Sequence, residues 1–467
     1  MQYRKASAYI IEQLNGIVGE DNVIVSLDQI EMLYGKQTQE KTWTAIPDVI
    51  VKAENSLQVS EIIKIANRER IIVTPTGPAG GAAPVRGGLV VSTERMNRIL
   101  EIDPGNMYMV IEPGVTIVEV QKKARENNLR YAGDPFSAYC SFIEDISATS
   151  SGVKGAFIYS AASRHICGLE VVMPTGEIIA FGGKTVKNIA MYDMVRLIAG
   201  SEGTLGIVTK IWLKLMPAPR HCADLLIPFD DMLKAIRVVP MIMTAGIAPA
   251  TLDFMDQETI KATGKYLSQS LPHSDAAAYI ICTVEAKSKS QLEEEYEMIG
   301  GLCLENGAMD AFVANSLTAR EGLWKVRKCY AEAISDLSPV CCRGDIVVPM
   351  SSISRALEEI KAIGTRHSCR IISCGPAGNG NIQCTILKED RDDEEWEKLK
   401  IDVFDEIYKI ICRLGGSFSG ELGTAAKWAQ CHENYSNPSA SSVMKSIKKA
   451  LDPNLILNPD RIADLCI

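Results

Sequence analysis

The stretch GGKTVKNIAMYDMVRLIAGSEGTLGIVTKIWLKLMP, residues 182–217, decides how this chain is read. Inside it, AGSEGTLGIVT (199–209) is rich in small residues, and turns of that composition leave backbone N–H groups open to a phosphate because no side chain blocks the approach. The stretch closes on Met216-Pro217-Ala218-Pro219, a proline-flanked segment of the kind that separates domains. Two further segments share the small-residue composition, TPTGPAGGAAP (74–84) and ISATSSGVKG (146–155). None is a Walker A loop or a G-x-G-x-x-G fingerprint, so each taken singly reads as a turn. Their order along the chain is more informative than any one of them.

Outward from that stretch the text alternates between strand and helix. Tyr3, Ala6, Ile10, Leu14 and Ile17 recur at helical spacing, so residues 1–42 are read as an N-terminal helical segment. From Ile46, PDVIVKA reads as a strand, SLQVSEIIKIANRER as an amphipathic helix capped by Ser56, and IIVTPTG as a second strand ending in glycine. Residues 87–129 then give three strands and a helix, with turns at Asp103-Pro104-Gly105 and Pro113-Gly114, and a strand-rich lobe follows to residue 217. Beyond the prolines the units lengthen, as in AAAYIICTVEA followed by SKSQLEEEYEMIGGLCLENG, and predict a mostly antiparallel α+β domain over 220–420. The tail from 421 to 467 is too short to fold alone and is expected to dock on the first domain.

Composition bounds the function. The chain has 467 residues, long enough for two or three domains, and a hydrophobic content of 46% places it among folded globular proteins. A net charge of −9, with no basic run beyond pairs such as Lys448-Lys449, argues against a nucleic-acid surface. No signal-peptide pattern and no apolar run of about eighteen residues is present, so a cytoplasmic protein without a membrane span is expected. The 14 cysteines include no Cys-x-x-Cys, which leaves an internal iron–sulfur cluster or zinc ribbon unsupported and favours reduced thiols.

Read in order, EIDPGNMYMVIEPGV, GDP (133–135), CGLEVVMPTGEII, the 182–217 stretch and LDPNLILNP resemble the FAD-linked D-lactate dehydrogenase and glycolate oxidase large-subunit family. In particular the chain resembles the branch whose members work with an electron-transfer flavoprotein. The resemblance implies an α+β protein with a two-lobed vanillyl-alcohol-oxidase (PCMH)-type FAD-binding domain, residues 43–219, under a cap domain. It implies noncovalent FAD, since His165 is the sole histidine of that domain. It places Gly77, Gly80 and Gly81 in a pyrophosphate loop that is shorter here than in the family. Asp134 and Pro135 fall near the flavin, Thr149, Ser150 and Gly152 against the cofactor, and Glu202, Gly206, Ile207 and Val208 near the adenine end.

Oxidising a 2-hydroxy acid needs a cation for the carboxylate, a group that takes the hydroxyl proton, and a hydride acceptor. Trp324-Lys325-Val326-Arg327 resembles the family's W-x-x-R, whose arginine binds the substrate carboxylate, and Arg343 lies where a basic residue often assists. The alternative for each is an exposed helical charge. The family's G-H-x-G-D-G-N-x-H motif and later E-H dipeptide supply metal ligands and a base, but here the text is GPAGNGNIQ (375–383) and Glu421-Leu422. Pro376 and Gln383 replace the two imidazoles and Leu422 the base, so no catalytic metal is expected, and Glu421 is left as the acid or base. Cys374 and Cys384, flanking the motif, are the only substitutes to weigh. Three functions remain: an FAD-dependent dehydrogenase that passes electrons between a small hydroxy-acid-like substrate and a protein carrier without the metal, a D-2-hydroxyacid dehydrogenase proper, and a flavin relay subunit. An electron-transfer flavoprotein is the first partner expected and an iron–sulfur subunit the second, within a homo- or hetero-oligomer.

Overall fold

The computed structural model describes residues 3–34, 46–77, 87–133, 162–185, 187, 191–269, 271–418, 435 and 437–459. The described residues up to 218 and from 435 onward form one compact unit, and 219–418 form a second.

Among its described residues the first unit holds a four-stranded sheet, a five-stranded sheet and a two-stranded pair. Strands β1 (Val23–Ile24), β2 (Val49–Lys52), β3 (Val73–Thr76) and β4 (Leu89–Ser92) lie in the order β1-β2-β4-β3, with β2, β4 and β3 mutually parallel. VIVK and LVVS are buried almost throughout, as parallel strands covered on both faces must be. A parallel pair needs a crossover, and the helix Ser56–Glu69 supplies it, burying Val59, Ile62, Ile63 and Ala66. Its N-cap is Asn55, not Ser56: Asn55 has the extended backbone a cap requires and its side chain accepts from the Gln58 N–H, whereas Ser56 is already helical. The helix Ala8–Val18 adds Ile10, Leu14 and Val18 to the same core.

The second sheet contains β5 (Ile99–Asp103), β6 (Tyr108–Ile111), β8 (Ile166–Val172), β9 (Ile178–Gly182) and β10 (Ile207–Lys214), antiparallel in the order β5-β6-β10-β8-β9, while β7 (Leu129–Arg130) pairs with β11 (Met216–Pro217). In β10, Ile207, Thr209, Ile211 and Leu213 face inward at every second position. The C-terminal stretch returns to the first sheet: the Val73 N–H donates to Ile456 O, the Asn458 N–H donates to Val73 O, and Ile456 and Leu457 join the core of β2–β4.

The second unit is built on one seven-stranded sheet, β12 (His221–Phe229), β13 (Thr251–Asp256), β14 (Ala278–Ala286), β15 (Phe312–Ala314), β16 (Cys341–Val347), β17 (Ile371–Gly375) and β18 (Asn381–Leu387), in the order β15-β12-β14-β13-β17-β18-β16. Every pairing in it is antiparallel. Helices cover both faces. On one, the Asp393–Arg413 helix brings Phe404 so close to β16 that a Cβ on Gly344 would stand 2.3 Å from the ring. On the other, the helices Leu317–Lys328 and Tyr330–Leu337 meet the side chains described next.

Candidate functional site

In the first unit, β3 runs directly into Gly77, which is buried. Ligands of parallel sheets bind beyond the carboxyl ends of the strands, which is where Gly77 lies. A second loop approaches the same edge. It follows the helix Met194–Ile198 and carries Glu202 and Gly203 at φ values of 52° and 67°. A Cβ at Gly203 would lie 2.6 Å from Pro75 Cγ, and one at Gly206 would lie 2.4 Å from Val171 Cγ1. Only glycine therefore lets this loop rest on the end of β3 and enter β10. Ile207 is buried and Val208 half-buried. Bare backbone gathered at the carboxyl edge of a parallel sheet suits a dinucleotide diphosphate, so these residues fit FAD. His165, buried, meets the Tyr131 ring edge-on at 6.0 Å. Gly80, Gly81, Asp134, Pro135, Thr149, Ser150, Gly152 and Glu421 lie outside the described residues.

In the second unit, strand alternation places Asp224, Thr283, Asp253, Cys374, Gln383, Thr385, Arg343 and Asp345 on one sheet face. The helix Leu317–Lys328 lies over it. Arg320 and Arg327, two helical turns apart, each reach a buried aspartate on a different strand. Arg320 Nε donates to Asp224 Oδ2 at 2.9 Å, and Arg327 Nε donates to Asp253 Oδ2 at 3.0 Å. Asp224 also accepts from Thr283 Oγ1 at 2.6 Å. Arg327 is 3% exposed, which corrects the reading of it as an exposed helical charge. Its guanidinium lies 5.9 Å from the Tyr330 ring centre, and the Tyr330 hydroxyl bonds to that of Thr385. Arg343 is not an exposed charge either: Nη2 donates to Ala331 O and Ser335 Oγ at 2.8 and 2.9 Å, bracing the helix Tyr330–Leu337.

The GPAGNGNIQ segment forms the end of β17, a tight turn and the start of β18. Gly380 sits at φ 79°, where a Cβ would come within 1.9 Å of Val348 O. Cys374 pairs in register with Gln383, and its Sγ–H donates to Gln383 Oε1 at 3.7 Å. Cys384 pairs instead with Ser373 and therefore points to the opposite face. The two thiols that flank the motif do not converge, which removes them as a joint replacement for the imidazoles. Burial holds the Cys384 thiol up to about 12. Among the described residues no group of three or more His, Cys, Asp or Glu is placed to hold a metal ion.

Sequence reasoning missed Asp224 and Asp253, although the alternation of TLDFMD already placed Asp253 on the face of Thr251 and Met255. It also missed Asp256. This carboxylate caps the helix Gln257–Leu267, accepting from Thr259 N and Oγ1 and from the Ser373 N–H, yet burial still pushes it up to about 6.

Comparison with known proteins places these features in a family. The FAD binding domain family matches residues 47–182, and the family described as FAD linked oxidases, C-terminal domain, matches residues 218–462. A D-lactate dehydrogenase of Anaerostipes hadrus is 31% identical over 99% of this chain and 98% of its own length. The glycolate oxidase subunit GlcD of Bacillus subtilis is 33% identical over 90% of each chain. Among solved structures, p-cresol methylhydroxylase aligns over 97% of this chain and 96% of its own at 18% identity, with a TM-score of 0.77. 4-Ethylphenol oxidase from Gulosibacter chungangensis aligns over 99% of each at 19% identity, with a TM-score of 0.79, and the fold is the vanillyl-alcohol-oxidase type. The chain belongs to the FAD-linked oxidase family of the D-lactate dehydrogenases and glycolate oxidase subunits, and it is an FAD-dependent oxidoreductase.

Proposed function

We propose that this oxidoreductase is a dehydrogenase that moves electrons between a small organic acid of hydroxy-acid type and a protein electron carrier, without a catalytic metal. The observation that carries the reading is the pair on either side of the β17–β18 turn. Where the resemblance calls for imidazoles the chain has Pro376 and Gln383, and Gln383 is engaged by the Cys374 thiol. A borderline divalent ion prefers imidazole and thiolate, and an amide bonded to a neutral thiol is a poor replacement. FAD, held without a covalent bond, supplies the hydride acceptor. Arg327 on its helix and Arg343 on β16 are the cations offered for a substrate carboxylate, and an arginine fork suits that role. Glu421 is the remaining acid or base, and a carboxyl raised by burial would serve it. The reading includes a cytoplasmic protein that hands its electrons to an electron-transfer flavoprotein or, as a second choice, to an iron–sulfur subunit within an oligomer. No helix among the described residues is long and apolar enough to cross a membrane.

The test is anoxic bleaching of flavin absorbance in the purified FAD-loaded protein, with a panel of D- and L-2-hydroxy acids and related acids, before and after chelation. Bleaching that chelation leaves unchanged is expected. Rapid bleaching by D-lactate or glycolate that a chelator abolishes would establish the metal-dependent chemistry and sink the proposal. Reduction by a partner flavoprotein with no response to any acid would establish a relay instead.

A further inference from the structure

Lys448 has no place in the chemistry above, yet it is 0% exposed. It lies on the helix Pro438–Leu451, whose other described side chains are largely exposed or half-buried. An ammonium taken out of water must find acceptors, and Nζ has three, one for each of its protons: Thr204 O at 2.6 Å, Leu457 O at 2.7 Å and Asp452 Oδ2 at 2.5 Å. Asp452 is satisfied in turn, its oxygens accepting from the Ile456 and Leu457 N–H groups at 3.1 and 2.9 Å. Burial pulls the ammonium below the usual lysine range, against which the Asp452 carboxylate favours the charged form.

The three acceptors belong to two different places in the chain. Asp452 and Leu457 lie in the C-terminal stretch, while Thr204 lies in the loop that rests on the end of β3. Asn458 makes the same connection one residue further on. Its Nδ2 donates to Glu202 O at 2.8 Å and its N–H donates to Val73 O at 3.0 Å. The loop so held has a turn of its own, in which the Thr204 N–H and Oγ1 both donate to Ser201 O, and it carries strain at Glu202, which adopts the left-handed backbone that residues with a Cβ disfavour. Both of its tied carbonyls, Glu202 and Thr204, flank Gly203, the residue lying on Pro75 just before Gly77.

We propose that Lys448, Asp452 and Asn458 form a positioning clamp that holds the Glu202–Thr204 loop in the conformation that receives the FAD dinucleotide. The clamp does not touch substrate. It sets how tightly the apoprotein takes FAD, and it rests on FAD binding alone, independent of which acid is oxidised.

The test compares FAD affinity with apoprotein stability in three variants. Lys448→Met leaves Asp452 buried without its cation and risks misfolding, so Lys448→Met/Asp452→Asn removes both charges while keeping an amide oxygen to accept from the Ile456 and Leu457 N–H groups, and Asn458→Gly keeps the left-handed backbone of that position, φ 40°, while deleting the side-chain tie to Glu202. Flavin is stripped and re-added under fluorescence titration, and the urea midpoint of each apoprotein is measured. Tight FAD binding by the parent in the same titration checks the cofactor reading separately. For the double variant and for Asn458→Gly, the expected result is a Kd for FAD raised tenfold or more, with an apoprotein midpoint close to that of the parent. A Kd within twofold of the parent in both variants overturns the clamp. So does a loss of affinity that only follows the loss of apoprotein stability across the series.

Discussion

Removing the Arg327 guanidinium is expected to cost the second unit stability before it costs any chemistry. Arg327 is 3% exposed and its partner Asp253 is fully buried, so Arg327→Ala leaves a carboxylate in the interior with its bonded cation gone. Breaking one side of a buried pair costs about 3–5 kcal/mol. An independent ceiling comes from the escape route open to Asp253, which is to take up a proton. From an ordinary aspartate value near 3.9, being neutral at pH 7 costs about 4 kcal/mol, and each pH unit lower saves about 1.4 kcal/mol. The deficit of Arg327→Ala should therefore be about 3–4 kcal/mol at pH 7 and shrink by about 2–3 kcal/mol by pH 5. Replacing both partners, Arg327→Met with Asp253→Leu, should recover most of it, because neither charge remains to be buried. Urea unfolding followed by tryptophan fluorescence suits the measurement, since Trp324 is buried on the same helix one turn earlier. A single variant within about 0.5 kcal/mol of the parent, the range of ordinary surface changes, would refute the reasoning, as would a double variant no more stable than the single one. The outcome also governs how substrate experiments are read. Loss of flavin bleaching in Arg327→Ala alone cannot separate a carboxylate clamp from a collapsed sheet face, whereas loss in the folded double variant can.

Asp256 should make stability fall as pH rises. Its folded value of about 6 lies above the unfolded value of 3.8, so the folded state binds the proton more tightly, and the stabilisation present below pH 3.8 is lost as pH climbs through about 6. Parent minus Asp256→Asn should therefore drop by about 2 kcal/mol between pH 4 and pH 7 in urea unfolding, and a gap that is flat or of opposite sign contradicts the assignment. Gly380→Ala places a methyl against Val348 O and forces a left-handed alanine, so a loss well beyond the 1–2 kcal/mol of the backbone alone is expected in the urea midpoint of the second unit. A loss below about 1 kcal/mol would mean that the turn can open.

What could be read from the text and what could not divides by the distance over which each feature is decided. Ile10 and Leu14 declared a buried helix face because helical periodicity is local, and the small residues at 199–206 declared a turn because backbone access is a property of the residues themselves. The cap at Asn55 was misplaced by one residue because a cap is defined by a change of φ and ψ that two adjacent polar residues announce equally well. Arg327 was legible as a motif, but its ion pair depends on β14 lying between β12 and β13, an order that no local pattern encodes. Cys374 and Cys384 look like a matched pair in the text, and it is the register of one hairpin, Cys374 opposite Gln383 and Cys384 opposite Ser373, that sends them to opposite faces.

Lys448 is the limiting case. In KSIKKAL nothing separates it from Lys445 or Lys449, and a lysine in an amphipathic helix is by default a solvated charge. Its burial is tolerable only because Asp452 lies one turn further along and because two carbonyls, one of them from the distant Thr204, arrive at the same point. The spacing from Lys448 to Asp452 was therefore in the text, but the need for it was not. That asymmetry is what gives the residue its interest, because a buried charge with every proton engaged is costly to assemble and intolerant of change. Its bond to Thr204 O ties that intolerance to one short loop beside Pro75 and Gly77, so a change at Lys448 is felt at the loop as well as in the core.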